Sequence, residues 1–437
     1  MDSEKKIIEK KDTKIEFLIP PKPYLGDEMR NPELGIMYLA AVTLKEGYNV
    51  VITDLRCKAP EEFSKHIGKS DVYALTATTP DYLAAKKIAE IAKSKNKNSW
   101  AIIGGIHATS VPNKIDPIFD KIGIGEGENT ILEILNDFRK GNNEKRFYQS
   151  DLIKDLDSIP FPARDMLPFE NVFSANGLFV GAGPTATVIT SRGCPFNCAF
   201  CASKKMWQRR LRLRTPENVV KEIKYIIEKY NVKNFRFHDD TITARKDWIK
   251  EVCEKIKPFK IRWRAGTRVD QITEEILQLM KDAGCEEISY GVESLDPNVI
   301  EKINKGIKIE DVKSAIKIAK KVGMQVRTFF IIGLPGEKLG YADRLIQFCD
   351  ETNPDAVDVS TLVPFPGCDI HDNMQTFGLE MDEEDFKKYI MTLGLGKEEE
   401  MDADFIFKHD VMSNEELKEE RKKSLEYIKS RKMVKNF

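Results

Sequence analysis

Short apolar runs rich in β-branched residues alternate with helical patterns along the first third of the chain. "TKIEFLIPP" (13–21), "YNVVITD" (48–54), "DVYALTA" (71–77) and "SWAIIGG" (99–105) are nearly continuous in apolar residues, as strands buried on both faces are. Between two of them, "PDYLAAKKIAEIAKSK" carries Leu83, Ala84, Ile88, Ala89 and Ile91 on one helical face and lysines on the other, so it covers a sheet and faces water. This βαβ rhythm predicts a doubly wound, Rossmann-like domain over 1–145, with ligands beyond the carboxyl ends of the strands. "PPKPYLGDEMRNPELG", "TATTPDY", "GGIHATSVP" and "GIGEGENT" lie at those ends; their Gly, Pro, Thr and Asn suit a ligand site and suit plain turns equally. The segment 146–182 contains "DLDSIPFPARDMLPF", whose prolines at 160, 162 and 168 deny it a long helix and predict an extended tether.

From 183 to 371 the alternation resumes. "TATVIT" (185–190) precedes helix "TPENVVKEIKYIIEKYN", with Thr215 as N-cap and Pro216 at its first turn, and strand "KNFRFHDD". Helix 245–257 leads to "KIRWRAG". Helix "TEEILQLMKDAG", capped by Thr273 and stopped by Gly284, leads to "EEISYGVES". Helices at 310–322 and 339–351 lead to "QVRTFFIIGLPGE" and "DAVDVSTLVPFPG". Six strands, each with its helix, predict a partial TIM-like β/α barrel with its site at the strands' C-terminal ends. Residues 372–437 turn charged and helical and read as a capping extension. The fold class is α/β, with two αβ domains and this small helical C-terminal extension.

Composition narrows the function. With 69 basic and 70 acidic residues the formal net charge is −1, which gives no global electrostatic case for nucleic acid or an anionic membrane. The charged start "MDSEKKIIEKKD" and the lack of an apolar run near the roughly 20 residues that span a bilayer lead us to expect a soluble, cytoplasmic protein. The eight cysteines are too sparse for a disulfide scaffold. Cys57, Cys253, Cys285, Cys349 and Cys368 stand alone, as small core residues do. Cys194, Cys198 and Cys201 share the loop "SRGCPFNCAFC" at the end of the first barrel strand. Three thiolates at this spacing suit three corners of a [4Fe-4S] cube, leaving the fourth iron open to substrate. Structural zinc would want a fourth ligand, and no further Cys or His is near in sequence; core cysteines are the remaining reading.

"CPFNCAFC", with aromatic Phe200 before the last cysteine, resembles the signature of the radical SAM superfamily. The resemblance implies that the open iron chelates S-adenosylmethionine (SAM). It also implies SAM contacts at Asp239 and Asp240 of "HDDT", at Glu293 of "YGVES" and at Gly333 of "IIGLPGE", the last near adenine. Arg268 and Arg327 call for a carboxylate partner, and Glu293 for an arginine or a ribose; barrel-mouth salt bridges would account for all three. From about 20 to 370 the chain resembles the cobalamin-binding class of these enzymes. That implies a cobalamin site made by Tyr24, Leu25, Thr78, Thr79, Gly104, Gly105, His107, Glu126 and Gly127. The Asp-x-His-x-x-Gly loop whose imidazole ligates cobalt in many cobalamin domains is missing after strand 13–21, and "DIHDNM" (369–374) has its first half in the wrong domain. His107 is then expected to contact the cobalamin tail or to be a satisfied loop residue.

The class implies that the reduced cluster cleaves SAM to a 5'-deoxyadenosyl radical, which abstracts a substrate hydrogen before cobalamin delivers a methyl group. A C-methyltransferase acting on an unactivated carbon is the leading expectation. Ring closure, coupling or oxidation without methyl transfer is the alternative within the class, and a non-catalytic cofactor-binding or sensing protein the alternative outside it. The substrate, whether small molecule, lipid or peptide, leaves no motif, and no catalytic protein residue is singled out. A flavodoxin or ferredoxin is the expected electron donor, and the basic run "KKMWQRRLRLR" (204–214) is a solvated or donor-facing stretch.

Overall fold

A computed structural model describes residues 7–22, 25, 27–174, 183–381 and 405–433. They fall into two compact units, one of residues up to 172 with 202–208, the other of 173–201 and most of the chain from 209 on.

The first unit is built on a six-stranded sheet in which every pairing is parallel. In chain order its strands are Lys14–Ile19, Asn49–Asp54, Val72–Thr76, Trp100–Gly104, Lys121–Ile124 and Phe147–Gln149, and in space the second precedes the first. That reversal is the switch point of a doubly wound sheet, so the loops after the first and third strands flank the expected ligand crevice. Four strands lie where the hydrophobic pattern puts them. Lys121–Ile124 and Phe147–Gln149 are additional, the latter drawn from the proline-rich segment. Helix Tyr82–Lys95 buries Tyr82, Ala85, Ile88, Ala89 and Ala92, whereas Leu83 stays 36% exposed; the covering face is rotated from the expected one, with Tyr82 at its head. The segment 155–172 is short turns and a helical turn rather than a free tether: Leu156, Ile159, Arg164, Leu167 and Val172 are buried, and Ala163 N–H donates to Met37 O at 3.0 Å.

The second unit has six parallel strands in sequential order, Thr185–Val188, Asn234–Phe237, Arg262–Thr267, Cys285–Glu293, Gln325–Ile332 and Ala356–Thr361. Sequential order with a helix after each strand is the arrangement of a partial barrel. The expected helix signals are in place. Thr215 and Thr273 accept from the backbone N–H groups of Asn218 and Ile276, and Gly284 takes φ +94°, where a Cβ would run into Ile261 O. Ser413 and Glu416 form a capping box at the start of helix Asn414–Ser430. This helix reaches the fifth strand's helix, Tyr341–Thr352: Glu420 accepts from Gly340 N at 2.7 Å and Ala342 N at 2.6 Å. No helix among the described residues is long and apolar enough to cross a membrane.

Candidate functional site

In the second unit, strand Thr185–Val188 runs into the cysteine loop. The basic run after the loop is not one helix face: it forms helix Ser203–Trp207 and a strand, Arg212–Leu213, that pairs antiparallel with Ser191–Arg192. Arg214, at its end, is buried against Glu222. The loop is fastened to the segment after the fourth strand, with Ala199 N–H donating to Ile303 O at 2.8 Å and Asn304 Nδ2 to Asn197 O at 3.0 Å. Cys198 is buried and Cys194 and Cys201 half-buried, and none is in a disulfide. Burial pushes the Cys198 thiol up, against the pull of the nearby Lys305 and Arg268 cations. Among the described residues no three His, Cys, Asp or Glu side chains converge as one metal ion requires. Cys57 differs from its expected role, being exposed at φ +57°; Cys253, Cys285, Cys349 and Cys368 are buried.

Asp239 stands beside the loop's first residues. Its Oδ1 accepts from Thr190 N and Oγ1, both at 3.0 Å, from Ser191 Oγ at 2.6 Å and from Ser191 N, while Oδ2 is buried without a partner. Burial raises this carboxyl to about 6 despite those bonds. Because the folded value lies above the ordinary 3.8, the group favours the fold most below pH 3.8, and that contribution is lost as pH rises to about 6. Asp239→Asn cannot ionise, so thermal unfolding scans between pH 4 and 6.5 are expected to show wild type losing stability relative to it, on the order of 2 kcal/mol. Superimposable pH profiles would show that Asp239 does not titrate there. His238 is exposed, and its backbone N–H donates to Val188 O at 2.8 Å. Asp240 is exposed.

Of the charged candidates, Arg268 and Arg327 pair with carboxylates as anticipated, and Glu293 finds a lysine. Glu293 takes φ +71°, rare for a side-chain-bearing residue, and pairs with Lys305 at 2.8 Å rather than with an arginine. Lys305 Nζ also lies 5.7 Å from the Phe200 ring centroid. Arg268 is bound to Asp270. Arg327 is low in its strand, about 16 Å before the end by strand rise. It joins Glu287 at 3.2 Å and Asp358 at 2.9 Å, and Arg264 meets the same Glu287 at 3.4 Å. This is a buried ion-pair layer of the barrel floor, so Arg327 is a structural residue and not a mouth ligand. Gly333 takes φ +85° and is covered by the C-terminal segment; an added Cβ would lie 3.0 Å from Phe405 and 3.1 Å from Phe407.

In the first unit, the loop after the first strand contains no histidine; Leu25 is half-buried and Tyr24 lies outside the described residues. Arg56, which sequence reasoning missed, orders this loop. It is paired with both oxygens of Asp54 and donates to Glu28 O at 3.2 Å and Asn31 O at 2.9 Å. The only hint in the sequence was the Asp-x-Arg that follows strand Asn49–Asp54. Thr78 is exposed and hydrogen-bonds Asp81. Thr79 is buried and meets His107 Nδ1 at 3.1 Å, while the His107 ring stacks on Tyr82 with centroids 4.3 Å apart. His107 is fully buried, and desolvation lowers it to about 4, so it is a neutral core residue. Glu126 is buried and accepts from Ile153 N at 2.7 Å; Gly127 lies against Leu39, whose Cδ2 an added Cβ would approach to 2.8 Å. Thr78 is thus exposed, and the half-buried Gly125 takes φ +78° with open space where a Cβ would point.

The radical SAM superfamily model matches residues 188–349 and the B12 binding domain model residues 28–135. An uncharacterized methyltransferase of Pyrococcus horikoshii, PH0819, is 33% identical over 382 residues, covering 81% of each chain. The chain belongs to the B12-binding radical SAM family. The anaerobic magnesium-protoporphyrin IX monomethyl ester cyclase of Rubrivivax gelatinosus is 28% identical over 414 residues, covering 88% of this chain and 73% of the cyclase. The radical SAM methyltransferase TsrM of Kitasatospora setae, solved with cobalamin and a [4Fe-4S] cluster, shares the fold with a TM-score of 0.65 at 15% identity, over 85% of this chain and 81% of TsrM.

The cofactors of this radical SAM enzyme are thus a [4Fe-4S] cluster, SAM and cobalamin, and its own residues fit them. The cysteine loop offers three thiols, the orphaned Asp239 Oδ2 can take an ammonium group, and in the first unit Thr78 follows the third strand while Gly104 and Gly125 stand at the carboxyl ends of the fourth and fifth.

Proposed function

We propose that this enzyme is a cobalamin-dependent C-methyltransferase acting on an unactivated carbon of a small molecule. The observation that carries the reading is the pairing in one chain of the three-cysteine loop at the mouth of a partial barrel with a B12 binding domain on a switch-point sheet. Methyltransferases among its relatives, including a hopanoid C-3 methylase of Methylococcus capsulatus at 24% identity, support it. Cys194, Cys198 and Cys201 would hold the cluster. Asp239 would receive the SAM amino group on Oδ2 while Thr190 and Ser191 fix Oδ1, and the turn after Ile332 would lie beside the adenine. Thr78, Gly104 and Gly125 would line the cobalamin site. When bound, the cluster supplies the electron that cleaves SAM, and cobalamin supplies the methyl group. The protein's own part is to orient the three and to keep water from them. An electron donor such as flavodoxin or ferredoxin would deliver the electrons.

The cyclase relative supports a second reading, ring closure or oxidation without methyl transfer. Product analysis separates the two. With SAM deuterated at the methyl group, the methyltransferase reading expects S-adenosylhomocysteine beside 5'-deoxyadenosine and a deuterated methyl in the product. Turnover that yields 5'-deoxyadenosine alone would establish the second reading and exclude the first.

A further inference from the structure

Arg268 follows strand Arg262–Thr267 directly, at the barrel mouth, and is 6% exposed. Its guanidinium is engaged on every side. Nε and Nη2 grip the two oxygens of Asp270, each at 3.0 Å, and Nη2 also donates to Lys305 O at 2.7 Å. The carbon at the centre of the fork lies 3.8 Å from the ring centroid of Phe196, and Nη1 points at Cys198 Sγ, 3.8 Å away. Phe196 and Cys198 both belong to the cysteine loop. A guanidinium whose Nε and Nη2 already hold a bidentate carboxylate, and whose Nη2 also donates to Lys305 O, has no second fork to offer a carboxylate. What it presents to the cysteine loop is one N–H and a positive charge.

We propose that Arg268 tunes the reduction potential of the cluster through Cys198, and is not a ligand of the SAM carboxylate. The inference rests on the reading of Cys194, Cys198 and Cys201 as the cluster's ligands. Reduction adds one electron to the cluster. An N–H donor and a cation beside a ligating sulfur stabilise the extra negative charge and raise the potential, and hydrogen bonds to the sulfurs are among the main determinants of cluster potentials. Asp270 partly cancels the cation, so the pair sets a value between two extremes. Arg268 is on this account a positioning and tuning residue.

The test is an EPR-monitored redox titration of the full chain with reconstituted cluster, in wild type, Arg268→Lys, Arg268→Gln and Asp270→Asn. Arg268→Gln removes the charge, and its reduced-to-oxidised ratio at a fixed poise is expected to fall about tenfold, a shift of about 59 mV for one electron. Arg268→Lys keeps the charge without the fork and should fall between. Asp270→Asn should move the midpoint the other way, toward easier reduction. SAM affinity, read from the change that SAM causes in the EPR signal of the reduced cluster, should stay at the wild-type value. Unchanged midpoints in loaded variants, or lost SAM affinity at an unchanged midpoint, would overturn the proposal. If Arg268→Gln does not load a cluster, the unmoved or raised midpoint of Asp270→Asn decides. Wild type that takes up no cluster would refute the ligand assignment, and the proposal with it.

Discussion

Cys194→Ala, Cys198→Ala and Cys201→Ala are each expected to abolish both the iron–sulfur absorption of anaerobically reconstituted protein and its cleavage of SAM. The expectation follows from ligand number. A cube held by three protein thiolates has one open iron for SAM; with two thiolates it has two exposed irons. Cys368 is buried two residues before Ile370, whose N–H donates to Ala199 O of the loop at 3.0 Å, so its replacement is the most informative control. The loop's backbone does not depend on the thiols, since Cys201 N–H donates to Cys198 O at 3.1 Å and Ala199 N–H to Ile303 O at 2.8 Å. Loss of the cluster in a folded variant is therefore the readout, with far-UV circular dichroism as the check on folding. Replacing Cys57, Cys253, Cys285, Cys349 and Cys368 one at a time should leave cluster and cleavage intact. Burial pushes the Cys253 and Cys349 thiols up to about 12, far from the thiolate form that binds iron. Three single loop mutants that kept iron and cleavage would end the assignment.

Much of this was legible in the sequence because the informative signals are local. Strand runs of five or six apolar residues, the caps Thr215 and Thr273, and three cysteines in one loop can each be read within a short window. The misreadings share a different origin. Lys121–Ile124 escaped because it is four residues long and opens on a lysine, whose ammonium is placed 4.2 Å from the Trp100 ring centroid and bonded to the carbonyls of Asn143 and Lys145. In the sequence Arg327 reads as a mouth residue calling for a carboxylate, but parallel register sets Ser289 against it, two positions from Glu287, and brings Asp358 from the following strand. Each partner comes from a different strand, 31 to 40 positions away, and no spacing rule reports that. Arg268 has its carboxylate two positions along the chain, within reach of a local reading, but its sulfur contact lies 70 positions back.

Gly104→Val is expected to prevent cobalamin uptake while leaving the fold and the iron–sulfur cluster in place, whereas Gly105→Val should fail to fold properly. The two neighbours look alike in "GGIHATSVP" and differ in geometry. Gly105 takes φ +90°, where a Cβ would strike the Thr76 hydroxyl and come within 2.9 Å of Ala77 O, so its glycine is demanded by the turn itself. Gly104 ends its strand in extended backbone, φ −136° and ψ −161°, which valine adopts readily, and an added Cβ would meet only Gly123 O, at 3.7 Å. A side chain there is compatible with the protein and fills the space at the strand's carboxyl end where the tail of cobalamin would lie close to the backbone. The measurement is cobalamin stoichiometry by visible absorption after reconstitution and desalting, alongside iron content. Wild-type cobalamin occupancy in Gly104→Val would place the tail elsewhere. In wild type the cob(II)alamin EPR signal should show no nitrogen superhyperfine splitting from a histidine. Among the described residues of the first unit the histidines are His66, exposed beyond the second strand, and His107, buried against Thr79 and Tyr82. Neither belongs to the loop after the first strand, where the histidine of the Asp-x-His-x-x-Gly loop would stand. A splitting that vanished in His107→Ala would require His107 to leave its place in the core when cobalamin binds, and would refute the histidine-free site.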